Sequence, residues 1–167
     1  MVDLGSTPGA WSQYVRRKMS PKTAQGGGAA TGALNGRIIA LDVLPMLPVE
    51  DVIFIQGDIR EDAVLAELTE CMQGQLADVV ISDMAPNLSG IESVDAARIE
   101  HLVELALEFS TVHLKTQGAL VAKVFHGGSY DTLIKRFREQ FVTVKCVKPK
   151  ASRDRSSETF LVGLVQK

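Results

Sequence analysis

Three side chains in this sequence carry chemistry that their surroundings do not call for. Lys123 lies inside Val121-Ala122-Lys123-Val124-Phe125, an apolar run of strand length, where a cation is costly unless it is paired or used. Asp83 follows Asp78-Val79-Val80-Ile81-Ser82 and leads into Met84-Ala85-Pro86-Asn87, in which Pro86 keeps Ala85 out of helix and stiffens the loop. Glu158 stands near the start of a last apolar run. A lysine beside two carboxylates suits the removal of a proton from a weak nucleophile. The carboxylates orient the amine, and the fraction of it that is neutral can accept the proton. Taken singly, the lysine also fits an edge strand snorkelling outward, and the glutamate fits an ordinary surface position.

A second group lies earlier in the chain. Val2-Asp3-Leu4-Gly5-Ser6-Thr7-Pro8-Gly9-Ala10-Trp11 reads as a strand end, a glycine turn and a helix start. Gly5 and Gly9 bring a ligand close to backbone N–H groups, as at a nucleotide-like cofactor site beyond the first strand. The spacing of this loop is Gly5-x-x-x-Gly9, with neither G-x-G-x-x-G nor a lysine followed by Ser or Thr in it, so a dinucleotide loop and a P-loop are both poor fits. Asp42 ends a second apolar run and is suited to ribose hydroxyls. Asp58, after a third, can accept from the exocyclic amine of an adenine. Three strand-end aspartates (Asp42, Asp58 and Asp83) with a glycine loop point to an adenosine-containing ligand. Without a phosphate-gripping lysine, S-adenosyl-L-methionine fits better than ATP.

These residues need a scaffold that presents strand ends side by side. Strand-length apolar runs fall at 2–4, 37–41, 52–55, 78–82, 119–125, 142–147 and 159–165. Helical patterns fall at about 10–18, 61–72, 95–114 and 130–140, the third with Asp95 as cap and Leu102, Val103, Leu105, Ala106 and Phe109 on its buried side. Gly118 breaks the chain before the fifth strand. Strands alternating with helices mean a parallel sheet covered on both faces. No crossover helix fits between Lys148 and Glu158, so the last two strands form an antiparallel hairpin. The fold expected is α/β: the Rossmann-like layout of class I methyltransferases, a mostly parallel seven-stranded sheet with an antiparallel last strand.

With 167 residues, one domain (1–167) is expected, with a Gly-rich flexible loop at 20–35 around Gly26-Gly27-Gly28. Hydrophobic content of 46% and charged content of 23% are ordinary for a globular protein, and the net charge of −2 means that any nucleic-acid surface must come from local clusters. Two such clusters are Arg16, Arg17, Lys18 and Lys22, and Lys145, Lys148, Lys150, Arg153 and Arg155. Both could reach phosphates, though a basic cluster is as often a solvated face. No apolar run is long enough for a bilayer and no signal peptide is evident, so a cytoplasmic protein without a membrane partner is expected. Cys71 and Cys146 form no C-x-x-C, and with three scattered histidines no metal site is expected. Met1 falls inside the first strand, as expected of a chain shortened at its N-terminus.

Taken together, the motifs resemble the FtsJ/RrmJ family of ribosomal RNA 2′-O-ribose methyltransferases. Asp3-Leu4-Gly5-Ser6-Thr7-Pro8-Gly9-Ala10-Trp11-Ser12-Gln13 is similar to the family's D-L-G-x-x-P-G-G-W-S-Q loop, with Ala10 for the second glycine of the pair. Asp42-Val43-Leu44-Pro45-Met46, Gln56-Gly57-Asp58, Ser82 to Gly90, Val121 to Phe125 and Lys148 to Arg153 follow in the family order. The resemblance implies cofactor contacts by Gly5, Gly9, Trp11, Asp42, Asp58 and Asp83, and a catalytic set of Asp83, Lys123 and Glu158. These match the last three members of the family's Lys-Asp-Lys-Glu tetrad, whose first lysine lies upstream of the cofactor loop. It also implies an acceptor, a uridine ribose of large-subunit ribosomal RNA on the assembled 50S subunit, and a monomeric enzyme. Two alternatives stay open: a methyltransferase with another acceptor, and a catalytically impaired RNA-binding or ribosome-assembly factor.

Overall fold

Buried β-branched and leucine side chains build the sheet. The computed structural model describes residues 1–19, 34–149 and 157–167. Its seven strands hydrogen-bond in the order β3-β2-β1-β4-β5-β7-β6. The chain divides into two compact units, Met1–Gly74 and Gln75–Lys167. The glycine loop expected at 20–35 and the basic residues Lys22, Lys150, Arg153 and Arg155 lie largely or wholly outside the described residues.

The first unit holds β1 (Val2–Leu4), α1 (Ala10–Met19), β2 (Ile38–Asp42), β3 (Val52–Gln56) and α2 (Asp62–Met72). The strands are parallel, with Leu4 level with Leu41 and Asp42 level with Gln56. Every residue of β1 and the first four of β2 are buried, as in strands covered on both faces. Gly57 is there for packing, because a Cβ would overlap the Val64 side chain of α2. Arg16 corrects the reading of the first basic cluster. It is 8% exposed and its guanidinium pairs with Glu50 at 2.7 Å and Asp51 at 2.8 Å. It is therefore an internal tie between α1 and the turn before β3, while Arg17 and Lys18 remain on the surface.

The second unit holds β4 (Ala77–Ser82), α3 (Glu92–His113), β5 (Leu114–Phe125), α4 (Tyr130–Gln140), β6 (Phe141–Val147) and β7 (Glu158–Gln166). β4 and β5 are parallel, whereas β7 runs antiparallel to both β5 and β6 and lies between them. Two expectations change. Gly118 does not break the strand: β5 begins at Leu114 and the register against β4 jumps between the Ala77–Leu114 and Val79–Ala119 pairs. The irregularity absorbs the residues that looked like a turn. Helix α3 begins at Glu92, with Asp95 inside it. Its buried face includes Ile99, Val103, Ala106, Leu107, Phe109 and Ser110, while Leu102 and Leu105 are only half-buried.

Gly163 pairs with Leu120 on one side and Val144 on the other, and the fully buried Phe141 ring covers it. A Cβ at that position would overlap the ring, and close-packed interiors do not yield cheaply. Gly163→Ala should therefore lower stability by about 1–3 kcal/mol. Thermal or denaturant unfolding checks this, and an unchanged midpoint would mean that Phe141 repacks freely.

Candidate active site

In the first unit the glycine loop is fastened to the end of β2. The N–H of Gly5 donates to the Leu41 carbonyl at 2.9 Å, and that of Gly9 donates to the Ser6 carbonyl at 2.6 Å. The Thr7 N–H donates to Asp42 Oδ2 at 2.8 Å, and the Thr7 hydroxyl donates to the Leu44 carbonyl at 3.1 Å. Gly5 and Gly9 have φ of +74° and +103°, which only glycine adopts without strain. A Cβ on Gly9 would also press to 3.1 Å from Met46 Sδ. The glycines thus shape the loop and admit Met46. The N–H groups of Gly5, Ser6, Thr7 and Gly9 are used within the unit rather than held out for a ligand.

What remains for a ligand is acceptor capacity and one hydroxyl. Asp42 Oδ1 takes the Leu44 N–H at 2.8 Å and Oδ2 takes that of Thr7, so the carboxylate is fixed with a lone pair to spare on each oxygen. The Ser6 hydroxyl is buried and has no hydrogen-bond partner among the described residues. A polar ligand with hydroxyls fits that combination. Trp11 is the second residue of α1 and half-buried. Beneath the loop, the Ser12 hydroxyl donates to Asp3 Oδ2 at 2.6 Å, with both residues fully buried. This tie between α1 and β1 was not singled out from sequence, although a carboxylate inside an apolar strand is a signal.

Asp58 is more occupied than its position after β3 suggests. Its Oδ1 accepts the Arg60 N–H at 3.0 Å and Arg60 Nε at 2.9 Å, and its Oδ2 accepts Nε at 3.0 Å and Nη2. The guanidinium therefore covers both oxygens, and an exocyclic amine reaches them only when Arg60 turns away.

The second unit brings Asp83 and Lys123 together. Ser82 at the end of β4 is level with Ala122 of β5, so the next residues, Asp83 and Lys123, are neighbours. Lys123 Nζ lies 2.9 Å from Asp83 Oδ1 and donates to the Asp83 carbonyl at 2.8 Å. The lysine side chain is 11% exposed, which makes the outward-snorkelling reading a poor one. Across the antiparallel pair, Lys123 is opposite Phe160 and Phe125 is opposite Glu158. With side chains alternating along each strand, Lys123 and Glu158 project from the same face. The loop after Asp83 is clamped by α3: Asp95 Oδ1 accepts from the N–H of Ser89 at 2.8 Å and its hydroxyl at 2.7 Å, and Oδ2 accepts from the Gly90 N–H at 2.9 Å. A groove of about 460 Å³, lined by Glu104, Leu107, Glu108, Thr111, Arg136, Glu139 and Gln140, includes none of these residues. Among the described residues no three metal-ligating side chains come together, and no helix is long and apolar enough to cross a membrane.

A seven-stranded, mostly parallel sheet closed by antiparallel strands is the class I methyltransferase fold. Solved structures share it: a ribosomal RNA methyltransferase of Plasmodium falciparum aligns over 99% of this chain and 85% of its own, with a TM-score of 0.81 at 24% identity. The Aeropyrum pernix fibrillarin, in complex with S-adenosyl-L-methionine, aligns over 98% of this chain and 65% of its own, with a TM-score of 0.60 at 13% identity. These likenesses are of fold. The model of the FtsJ-like methyltransferases matches residues 1–166, and the chain belongs to that family. It is a methyltransferase whose methyl donor is S-adenosyl-L-methionine. Curated relatives called ribosomal RNA large subunit methyltransferase E include that of Albidiferax ferrireducens, 75% identical over 98% of this chain and 73% of its own length. That of Leptothrix cholodnii is 65% identical over 98% of this chain and 71% of its own.

Two outcomes are expected from this geometry. If the Arg60 guanidinium competes for Asp58, Arg60→Ala should tighten S-adenosyl-L-methionine binding by up to about fivefold, the scale of an exposed ion pair. Calorimetry on both proteins decides it, and weaker binding by the variant would mean that Arg60 helps to hold the ligand. The hydrogen bonds from Ser89, with a further one from Gly90, hold the Asp95 carboxyl below its usual range. A depressed carboxyl contributes its full stability above its unfolded value and loses it progressively as pH falls from that value through the lower folded one. The Ser89 and Gly90 amide resonances should therefore stay unchanged from neutral pH down through about pH 4, the ordinary aspartate midpoint, and move only below it.

Proposed function

We propose that this chain transfers the methyl group of S-adenosyl-L-methionine to the 2′-hydroxyl of a uridine ribose in large-subunit ribosomal RNA, acting as a monomer on the assembled subunit in the cytoplasm. Lys123 carries this reading. An ammonium has three N–H bonds, and two of them are taken up by the carboxylate and the carbonyl of Asp83. In the neutral amine both remaining N–H bonds can stay on Asp83, which leaves the lone pair directed away from it. That is the geometry of a general base waiting for a hydroxyl proton. Asp83 orients the amine, and Glu158, on the same face of the sheet, holds the ribose or steadies the protonated lysine. Transfer to an amine or a carboxylate would need no such lysine. The names of the relatives support the ribosomal RNA acceptor.

Asp42 would receive the ribose hydroxyls of the cofactor on its spare lone pairs. Gly5 and Gly9 would let the loop approach it, Trp11 would pack beside it, and Asp58 would add its acceptor once Arg60 turns away. The bound sulfonium supplies an electrophilic methyl group. Holding the acceptor in line and removing its proton is the part left to the protein. Lys145 on β6, Lys148 just beyond it, and Arg17 and Lys18 on α1 are exposed described cations that would face RNA phosphates.

Tritiated methyl incorporation into large ribosomal subunits, followed by alkaline hydrolysis, tests the acceptor, because a 2′-O-methyl group protects the adjacent phosphodiester. The label should appear in alkali-resistant dinucleotides, and label on a base or on protein would reject the reading. Lys123→Ala should lower the rate by ~10²–10⁴ while leaving cofactor affinity within about threefold, as expected when a general base is lost. A variant that keeps most of its rate would make Lys123 a binding residue only.

A further inference from the structure

The loop between β4 and α3 is built the reverse of an ordinary surface loop. From Asn87 to Ile91 its backbone is tied to α3 and to its own Ser89, while Leu88 and Ile91 point outward. Besides the three hydrogen bonds to Asp95, the Ile91 N–H donates to the Ser89 hydroxyl at 3.3 Å, and Arg98 Nη1 donates to the Asn87 carbonyl at 3.1 Å. Asp95 itself is 9% exposed, so the clamp is internal. On the outside stand Leu88 at 64% exposure, Ile91 at 59% and Val94 at 38%. Residues 84–91 carry no charge, and the loop starts at the residue that holds Lys123. Exposed apolar side chains that flank a segment clamped by Asp95, within eight residues of the aspartate that holds Lys123, are more than scattered surface hydrophobicity.

We propose that Leu88 and Ile91 form the surface on which a nucleobase of the acceptor RNA rests once it has left its stack, with Asp95 as the positioning residue that holds them there. The inference rests on the ribose-methylation reading. A 2′-hydroxyl that reaches Lys123 must belong to a nucleotide that is splayed from its neighbours, and single-stranded or unstacked nucleotides are what proteins read in RNA. Leucine and isoleucine are among the side chains used as wedges between base steps, because they replace a stacked neighbour with apolar contact. The exposed Arg98 guanidinium beside Asn87 puts a positive charge at the rim for the accompanying phosphate. Two or three side chains are far too small an area for a stable protein interface, which buries at least about 1,200 Å² in total. They are the right scale for one base.

The test uses the chain with tritiated S-adenosyl-L-methionine and large ribosomal subunits prepared from cells lacking this methylation. Leu88→Ser combined with Ile91→Ser should raise KM for the subunits tenfold or more, change kcat by less than about threefold, and leave the cofactor dissociation constant unchanged. Asp95→Ala should raise KM in the same direction, and Asp95→Asn, which keeps one carbonyl acceptor, should recover part of it. Wild-type KM in the double variant, or a loss confined to kcat, overturns the proposal. So does a dimer of the parent chain in sedimentation that the double variant abolishes, since a second copy would then be the occupant. Photocrosslinking of 4-thiouridine RNA to the parent chain needs no variant: adducts on the peptide that contains residues 84–91 are expected, and adducts only elsewhere overturn the assignment. Failure of the ribose reading would show separately, as absence of alkali-resistant label from the parent chain.

Discussion

Lys123 can sit in the apolar end of β5 because Asp83 offers it two oxygens, and that requirement ties the second unit to one strand register. Asp83 is level with Lys123 only while Ser82 pairs with Ala122. A slip of one residue would turn Lys123 to the opposite face, into the buried positions that Ala122 and Val124 now fill beside Leu161, with no carboxylate to receive it. The same register places Glu158 on the face that Lys123 occupies, through the antiparallel pairing with Phe125. Burial of an unpaired ammonium is costly enough to penalise the slipped pairing. The lysine proposed as the base thereby also helps to specify the fold around it.

The first unit solves a different problem, that of keeping a polar loop in one shape before any ligand arrives. Thr7 and Leu44 donate to Asp42 from two separate segments, Met46 fills the space left by Gly9, and Ser12 anchors α1 on Asp3. The entropy of ordering these turns is lost on folding rather than on binding, which is the physical content of preorganisation. Arg60 is the exception. Its hold on Asp58 is made by a long exposed side chain that can swing away at little cost.

Strand positions, the antiparallel closing pair and the strand-end carboxylates were legible in the sequence because they follow from short-range pattern: apolar runs, helical spacing and the residues that end them. Asp42, Asp58, Asp83, Lys123 and Glu158 all fall at or beside the strand positions that this pattern indicates. What the pattern misses is contact between segments far apart in sequence. Arg16 looks like a surface cation until Glu50 and Asp51 are brought against it. Asp95 looks like a cap because it precedes the apolar stripe, but the helix starts at Glu92 and the carboxylate reaches back to Ser89 and Gly90. Gly118 looks like a break because glycine usually punctuates, whereas here it lies in the irregular stretch of a continuous strand.

The position of β7 bears on how the second unit is made. It follows β5 and β6 in the chain yet lies between them in the sheet. During synthesis β5 emerges first, then α4 and β6, and neither strand meets its antiparallel partner until residues 158–166 have been released. Until then the open flank of β5 is an unpaired template carrying Leu120, Ala122 and Val124. Pairing that waits for distant sequence raises contact order and slows folding, and an exposed edge in a growing chain invites association with other chains. A nascent chain stalled before Glu158 should hence be the form that depends most on chaperones.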